Sequence, residues 1–158
     1  MFLRVENIPA QKLVGKSLTM SFANDRTVEL WRSFMPDRFK IIHRLNDELL
    51  NMQVYSTQME FENFNPELEF EKWAVAEVSE FGAIPEGMKT YTLSGGLYAV
   101  FLHKGDFREF NKTIQFIYGS WLPSSGYERD TREHFERLGA KYLNNHPDSE
   151  EEVWIPIR

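Results

Sequence analysis

The sequence has no cysteine, which excludes a disulfide framework, a thiolate metal site and a cysteine nucleophile. A cysteine-free chain fits a reducing compartment. No stretch approaches the ~18 consecutive apolar residues that a membrane-spanning helix needs. The start, Met1-Phe-Leu-Arg-Val-Glu6, lacks the basic segment and long apolar segment of a secretory signal. A cytoplasmic protein without a membrane partner is therefore expected. Positive charge is in deficit, with 18 Lys and Arg against 24 Asp and Glu and a net charge of −6. That balance argues against a nucleic-acid partner held by phosphate charge. The four histidines, His43, His103, His134 and His146, are scattered without metal-ligand spacing, so no metal is expected. There is no Gly-x-Ser-x-Gly elbow, since Gly119-Ser-Trp lacks the second glycine, and no phosphate loop or dinucleotide glycine pattern. No cofactor is expected.

What the chain has in excess is aromatic rings: 13 Phe, 6 Tyr and 4 Trp in 158 residues. So many rings need either a thick core or an open aromatic surface. The length sets the expectation of one domain, residues 1–158, large enough to fold without staples.

Residues 2–8 and 11–20 alternate loosely around Pro9. Asn24-Asp25 offers a cap to a helix carrying Val28, Leu30, Trp31 and Phe34, which Pro36 breaks. Asp37 caps a second helical piece to residue 46, with a stripe of Phe39, Ile42 and Leu45. Residues 51–59 read as a strand, and Glu60, Glu62, Glu67, Glu69 and Glu71 around Asn65-Pro66 as a solvated acidic loop. In the strand 70–79, Phe70, Ala74, Ala76 and Val78 share one face, and Glu71, Trp73, Val75 and Glu77 the other. Gly82, Pro85 and Gly87 mark a loop. Strands at 89–94 and 97–103 are joined by Gly95-Gly96. Asp106 caps a helix to about Gly119, with Phe107, Phe110, Ile114 and Ile117 at helical spacing. Residues 123–126 read as a loop, 131–138 as a short helical turn, and Val153–Ile157 as a closing strand.

Two units, about 1–79 and 89–158, each combine one main helix with three strands. The expected fold class is α+β: two pseudo-symmetric βαββ-type halves in an antiparallel sheet, with helices on one face and a ligand groove on the other. If Val153, Ile155 and Ile157 meet the helices, Trp154 lies on the uncovered face, joined there by Trp73 with Glu77 and by Tyr98. Three strands then each offer a ring to one concave face, a site for flat or cationic organic ligands. Alternatively, these rings pack against loops or a second subunit, as in a homodimer.

Four segments carry a resemblance. They are Gly96-Leu-Tyr-Ala-Val-Phe-Leu-His-Lys-Gly-Asp106, Ile117-Tyr-Gly-Ser-Trp-Leu-Pro-Ser-Ser-Gly-Tyr-Glu128, His134-Phe-Glu-Arg137 and Glu152-Val-Trp-Ile-Pro-Ile157. In this order they resemble the signatures of the GyrI-like small-molecule-binding domain, the effector-binding domain of AraC-type regulators. The specific motifs cover about the last third of the chain; the first half matches in element order. The resemblance implies a bacterial ligand-binding protein related to transcription regulators. With no room for a helix-turn-helix domain ahead of Phe2, the chain resembles the family's free-standing members.

The resemblance also implies that a buried Glu at the base of an aromatic pocket pairs with lipophilic, multidrug-type cations, and Glu136 matches that position. It is otherwise a surface residue of a short helix beside Arg132 or Arg137. Arg137 or Lys141, if paired with Glu136, would lower cation affinity. Together with the rings placed around the groove, the expected ligand set is Glu136, Trp73, Tyr98, Tyr118, Trp121 and Trp154. Leu138-Gly-Ala-Lys-Tyr142 departs from the commoner family pattern. Two alternatives accompany non-catalytic sensing or sequestration. One is a hydrolase of strained, reactive small molecules with Glu136 as general base and Trp121 or Tyr118 positioning substrate. The other is a protein-interaction role of the gyrase-inhibitor kind.

Overall fold

The alternating segments form eight strands of a single antiparallel sheet, with the helices on one of its faces. A computed structural model of the chain describes residues 1–61 and 63–158. Glu62, part of the acidic stretch, lies outside the described residues. The first half contributes β1 (Phe2–Ile8), β2 (Gln11–Met20), α1 (Thr27–Phe34), β3 (Leu49–Val54) and β4 (Phe70–Val78). The second contributes β5 (Lys89–Leu93), β6 (Gly96–Lys104), α2 (Phe107–Phe116), a short α3 (Leu122–Ser125), β7 (His134–Leu138) and β8 (Glu150–Pro156). The strand order is β1-β6-β8-β7-β3-β4-β2-β5, so each half lends its first strand to the edge of the other. The halves meet at the centre, where Asn51 of β3 lies opposite Glu136 of β7. The chain is thus the expected mixed α+β fold.

Local chemistry sets several boundaries. Asp106 caps α2 by accepting from the backbone amides of Arg108 and Glu109. Gly95 and Gly96 both have positive φ, 77° and 108°, which suits the tight β5–β6 turn. Arg132 packs against that turn and donates to the carbonyls of Gly95, Leu97 and Ile157. A Cβ on Gly15 would lie 1.9 Å from the Ala74 carbonyl oxygen, so the close approach of β2 and β4 requires glycine.

Four local expectations are corrected. Pro36 sits in the first turn of a 3₁₀ segment, Met35–Lys40, and His43 adopts φ 61°, so no helix reaches residue 46. Phe39, Ile42 and Leu45 are exposed, and the Arg38 guanidinium covers the Phe39 ring at 4.1 Å. The strand after residue 48 ends at Val54, well short of 59. Residues 122–125 are helical rather than loop, with Gly126 left-handed behind them. The expected helical turn at 131–138 holds strand β7 at the sheet centre, because His-Phe-Glu-Arg-Leu alternates and bonds on both sides, to β3 and β8.

The two faces differ in how they are filled. On the helix side, Leu30 and Phe34 of α1 pack on Val14, Ala74 and Ala76, while Ile117 beyond α2 packs on Ala99, Phe101 and Val153. On the opposite side, Leu13, Met52, Trp73, Tyr98, Phe135 and Trp154 belong to one buried cluster. Residues from β2, the end of β5 and β6 meet in that cluster only because the sheet curls this face onto itself. Glu133 ties the curl together: its carboxylate accepts from Tyr91 Oη, Ser94 N and Ser94 Oγ, and its carbonyl accepts from Tyr98 Oη.

Candidate functional site

A cleft opens on the helix side, between the two halves. It encloses about 100 Å³. Its floor is the outer face of the central strands: Gln53 of β3, Lys72 of β4, His134 and Glu136 of β7, Val153 and Ile155 of β8. Phe135 and Trp154 border it from between these positions. One wall is Phe110 and Ile114 of α2 with Tyr118; the other is Phe22, Tyr55, Phe61 and Phe70. Tyr118 and Phe61 stack across it with centroids 4.4 Å apart.

The helices explain why space remains. Helix α1 buries Leu30 and Phe34 against the sheet, whereas α2 buries none of its residues. The chain then makes a π turn, Ile117–Trp121, which inserts a residue and changes which side chains face the sheet. Ile117 is driven into the core and Tyr118 is left on the cavity wall. Phe107, which shares the helical spacing of Phe110, Ile114 and Ile117, is exposed at the start of α2.

The polar floor is unusual for a buried place. Glu136 is only 9% exposed. Burial pushes its carboxyl above the usual range, against the opposing pull of the Lys72 ammonium and of the neighbouring Gln53 and Asn51 side-chain amides. Arg137 does not pair with it: that guanidinium bonds Glu77 and lies 3.6 Å from Glu48. Lys141 lies 3.8 Å from Glu150. The nearby cation is instead Lys72, which donates to Thr27 Oγ1 at 2.8 Å. Glu151 belongs to the same group; burial first, and then the charge of Glu136, push its carboxyl up to about 8. His134 is neutral, its imidazole pushed down to about 3 by burial and by Arg129 and Arg132. Burial likewise raises the Tyr55 and Tyr118 hydroxyls, which stay protonated.

Of the sequence-predicted ligand residues, the cavity brings together Glu136 and Tyr118, with Trp154 at its border. The expected groove on the helix-free face is filled, because the curled sheet packs that face on itself. Trp73 lies there against Tyr91, and Tyr98 against Phe135 and Trp154. The Trp154 ring also points inward, stacked on Phe135 at 5.1 Å. Trp121 is on the helix side but packs on Phe2 and Phe101, away from the cavity. Tyr142 lies in a small neighbouring pocket with Glu151 and His103. His103 itself is a hydrogen-bonding residue, its Nδ1 2.8 Å from Thr113 Oγ1. The sequence reading missed Tyr55, Phe61, Phe70, Lys72 and His134. Parity held the signal for two of them: His134 shares a strand face with Glu136, and Lys72 with Phe70 and Ala74.

Among the described residues, no group of three or more His, Cys, Asp or Glu could hold a metal ion, and no helix is long and apolar enough to cross a membrane.

This arrangement, a continuous antiparallel sheet with a polar-floored aromatic cleft between two helix-bearing halves, defines a ligand-binding α+β domain. The chain belongs to the GyrI-like small-molecule-binding domain family, whose model matches residues 1–158. It is 29% identical over 158 residues to the transcriptional regulator BrlR of Pseudomonas aeruginosa, covering 99% of this chain and 56% of that protein. The chain thus spans little more than half of that relative's length. Among solved structures it is similar in fold to SAV2435 bound to tetraphenylphosphonium, with TM-score 0.75, 12% identity, and 100% and 94% of the two chains covered. A hydrolase of Listeria innocua has TM-score 0.65, 12% identity, and coverage of 98% and 91%. One fold therefore carries a complex with an organic cation and a hydrolase, so the site must decide between activities.

Proposed function

We propose that the cleft binds a small organic molecule with an aromatic body and a positive charge, and that Glu136 is the counter-charge. The observation that carries this reading is a carboxyl buried on the cavity floor with no arginine partner among the described residues, ringed by Tyr55, Phe61, Phe70 and Tyr118. An ionised carboxylate is costly to bury alone, so an arriving cation gains more there than at the surface. The facing rings add cation–π attraction. The complex of SAV2435 with tetraphenylphosphonium supports the same ligand chemistry on a shared fold. Lys72 moderates it: a resident ammonium near Glu136 and Glu151 competes with any cation.

The reading is tested by calorimetric titration with N,N,N-trimethylanilinium and its neutral isostere tert-butylbenzene. Glu136→Gln weakens the cation by about tenfold or more and leaves the neutral compound nearly unchanged. Equal loss for both compounds overturns charge pairing. A carboxyl that holds its proton to higher pH also suits general acid–base work, which favours hydrolysis of a strained electrophile as the second reading. Turnover of such a compound that vanishes in Glu136→Gln would establish it.

A further inference from the structure

One polar atom of the cavity has no partner. His134 is 4% exposed, and its Nε2 is buried with no hydrogen-bond partner among the described residues. The ring lies under Tyr55, edge-on at 5.0 Å, and Phe61 at 5.9 Å. An aromatic face is a weak substitute for a hydrogen-bonding group. A buried polar atom left in this state costs free energy that a ligand can recover.

The other ring nitrogen fixes what Nε2 offers. His134 Nδ1 lies 3.4 Å from Tyr118 Oη, and neither atom has another side-chain partner among the described residues. A neutral imidazole carries one proton. If Nδ1 held it, Tyr118 Oη would accept, leaving both the tyrosine proton and Nε2 unpaired. If Tyr118 donates to Nδ1 instead, the proton sits on Nε2 and only one group is unpaired. The second arrangement leaves fewer buried groups unsatisfied, so Nε2–H is a donor facing a cavity wall. The positive field of Arg129 and Arg132 at this ring independently favours the negative end of a dipole there. Arg129 lies over the Phe61 ring at 5.0 Å and is held by the Met59 carbonyl.

We infer that His134 reads a hydrogen-bond acceptor, such as a carbonyl or ether oxygen, on the ligand that Glu136 holds by its charge. This rests on the proposed use of the cleft and adds a second recognition point to it. His134 and Glu136 are two residues apart on one face of β7, so the two points are separated by about 6.5 Å. The ligand class is an aromatic cation with an acceptor at that distance from its charge. Phe61 and Tyr55 must turn aside for the acceptor to reach Nε2.

The test compares 4-acetyl-N,N,N-trimethylanilinium with N,N,N-trimethylanilinium, which differ by one acetyl group. The acetyl compound binds the native protein about tenfold more tightly. The advantage disappears in His134→Phe and shrinks in Tyr118→Phe, which keeps the stacked ring and removes the hydroxyl that sets the tautomer. Nitrogen-15 NMR of the imidazole, which needs no variant, shows the proton on Nε2. Equal binding of the two compounds by the native protein overturns the inference, as does an advantage that survives in both variants, or a proton on Nδ1. Failure of both compounds to bind at all is a different result and overturns the reading of the cleft itself.

Discussion

The two faces of the sheet are both rich in aromatic rings and have opposite characters. On the curled inner face Trp73, Tyr98, Phe135 and Trp154 are packed ring against ring, and the Tyr98 hydroxyl is satisfied by the Glu133 carbonyl. On the outer face Tyr55, Phe61, Phe70 and Tyr118 surround a void floored by Glu136, Lys72 and a His134 whose Nε2 has no partner among the described residues. The difference comes from curvature and from one helix. Curling closes the concave side without any helix, while α2, which buries none of its residues, leaves part of the convex side unfilled. Aromatic content alone does not mark a site, and neither does one unpaired atom, since Trp73 Nε1 on the inner face also lacks a partner among the described residues; rings and unsatisfied polar groups beside empty volume do.

Substitutions on the two faces should separate stability from binding. Phe135→Ala removes a ring that is 1% exposed and stacked on Trp154, and costs about 3–5 kcal/mol in denaturant unfolding. Phe61→Ala, on the cavity side, costs about 1 kcal/mol or less, yet weakens trimethylanilinium severalfold. Comparable stability losses at the two positions would break the distinction.

A smaller effect follows from pH. Glu151 holds its proton to about pH 8 when folded, against an ordinary value of 4.5. The folded state then binds more protons than the unfolded chain between these values, so this group makes stability fall as pH rises from about 4.5 to 8. Glu151→Gln should flatten that decline, and a decline of unchanged slope would contradict the placement of Glu151 in the buried charge group. His134 acts in the acid range with the opposite sign. Its neutral form is stable above the ordinary 6.5, and its contribution is lost as pH falls toward about 3. Smallest of all, Lys72→Met removes the resident ammonium and raises trimethylanilinium affinity by about threefold to fivefold. Unchanged or weaker binding would show that Lys72 does not compete.

Much of the fold was legible, because alternation and caps are local. The strands at 70–79, 89–94 and 97–103, the Asp106 cap and the Gly95-Gly96 turn all depend on residues close in sequence. Strand β7 was not, since its five residues are held in extended form by β3 and β8, which are distant in sequence. Reading 131–138 as helical hid the face shared by His134 and Glu136. The site was half legible for a related reason. Period two placed Trp73, Tyr98 and Trp154 together on the face away from the helices, and they do share it. Which face stays open depends on how the whole sheet curls, and no local pattern states that. Glu136 was singled out only through the family resemblance, and Tyr55 and Phe61 lie beyond the end of β3, where no periodic pattern marks a face.

The most direct test of the two-face account is photolabelling with 4-azido-N,N,N-trimethylanilinium, followed by peptide mapping. The account predicts label on residues of the outer cleft, in the segments containing Tyr55 and Phe61, Tyr118, and His134 to Glu136, suppressed by excess trimethylanilinium. Competed label on Trp73, Tyr91 or Tyr98 would place the ligand on the inner face and contradict it.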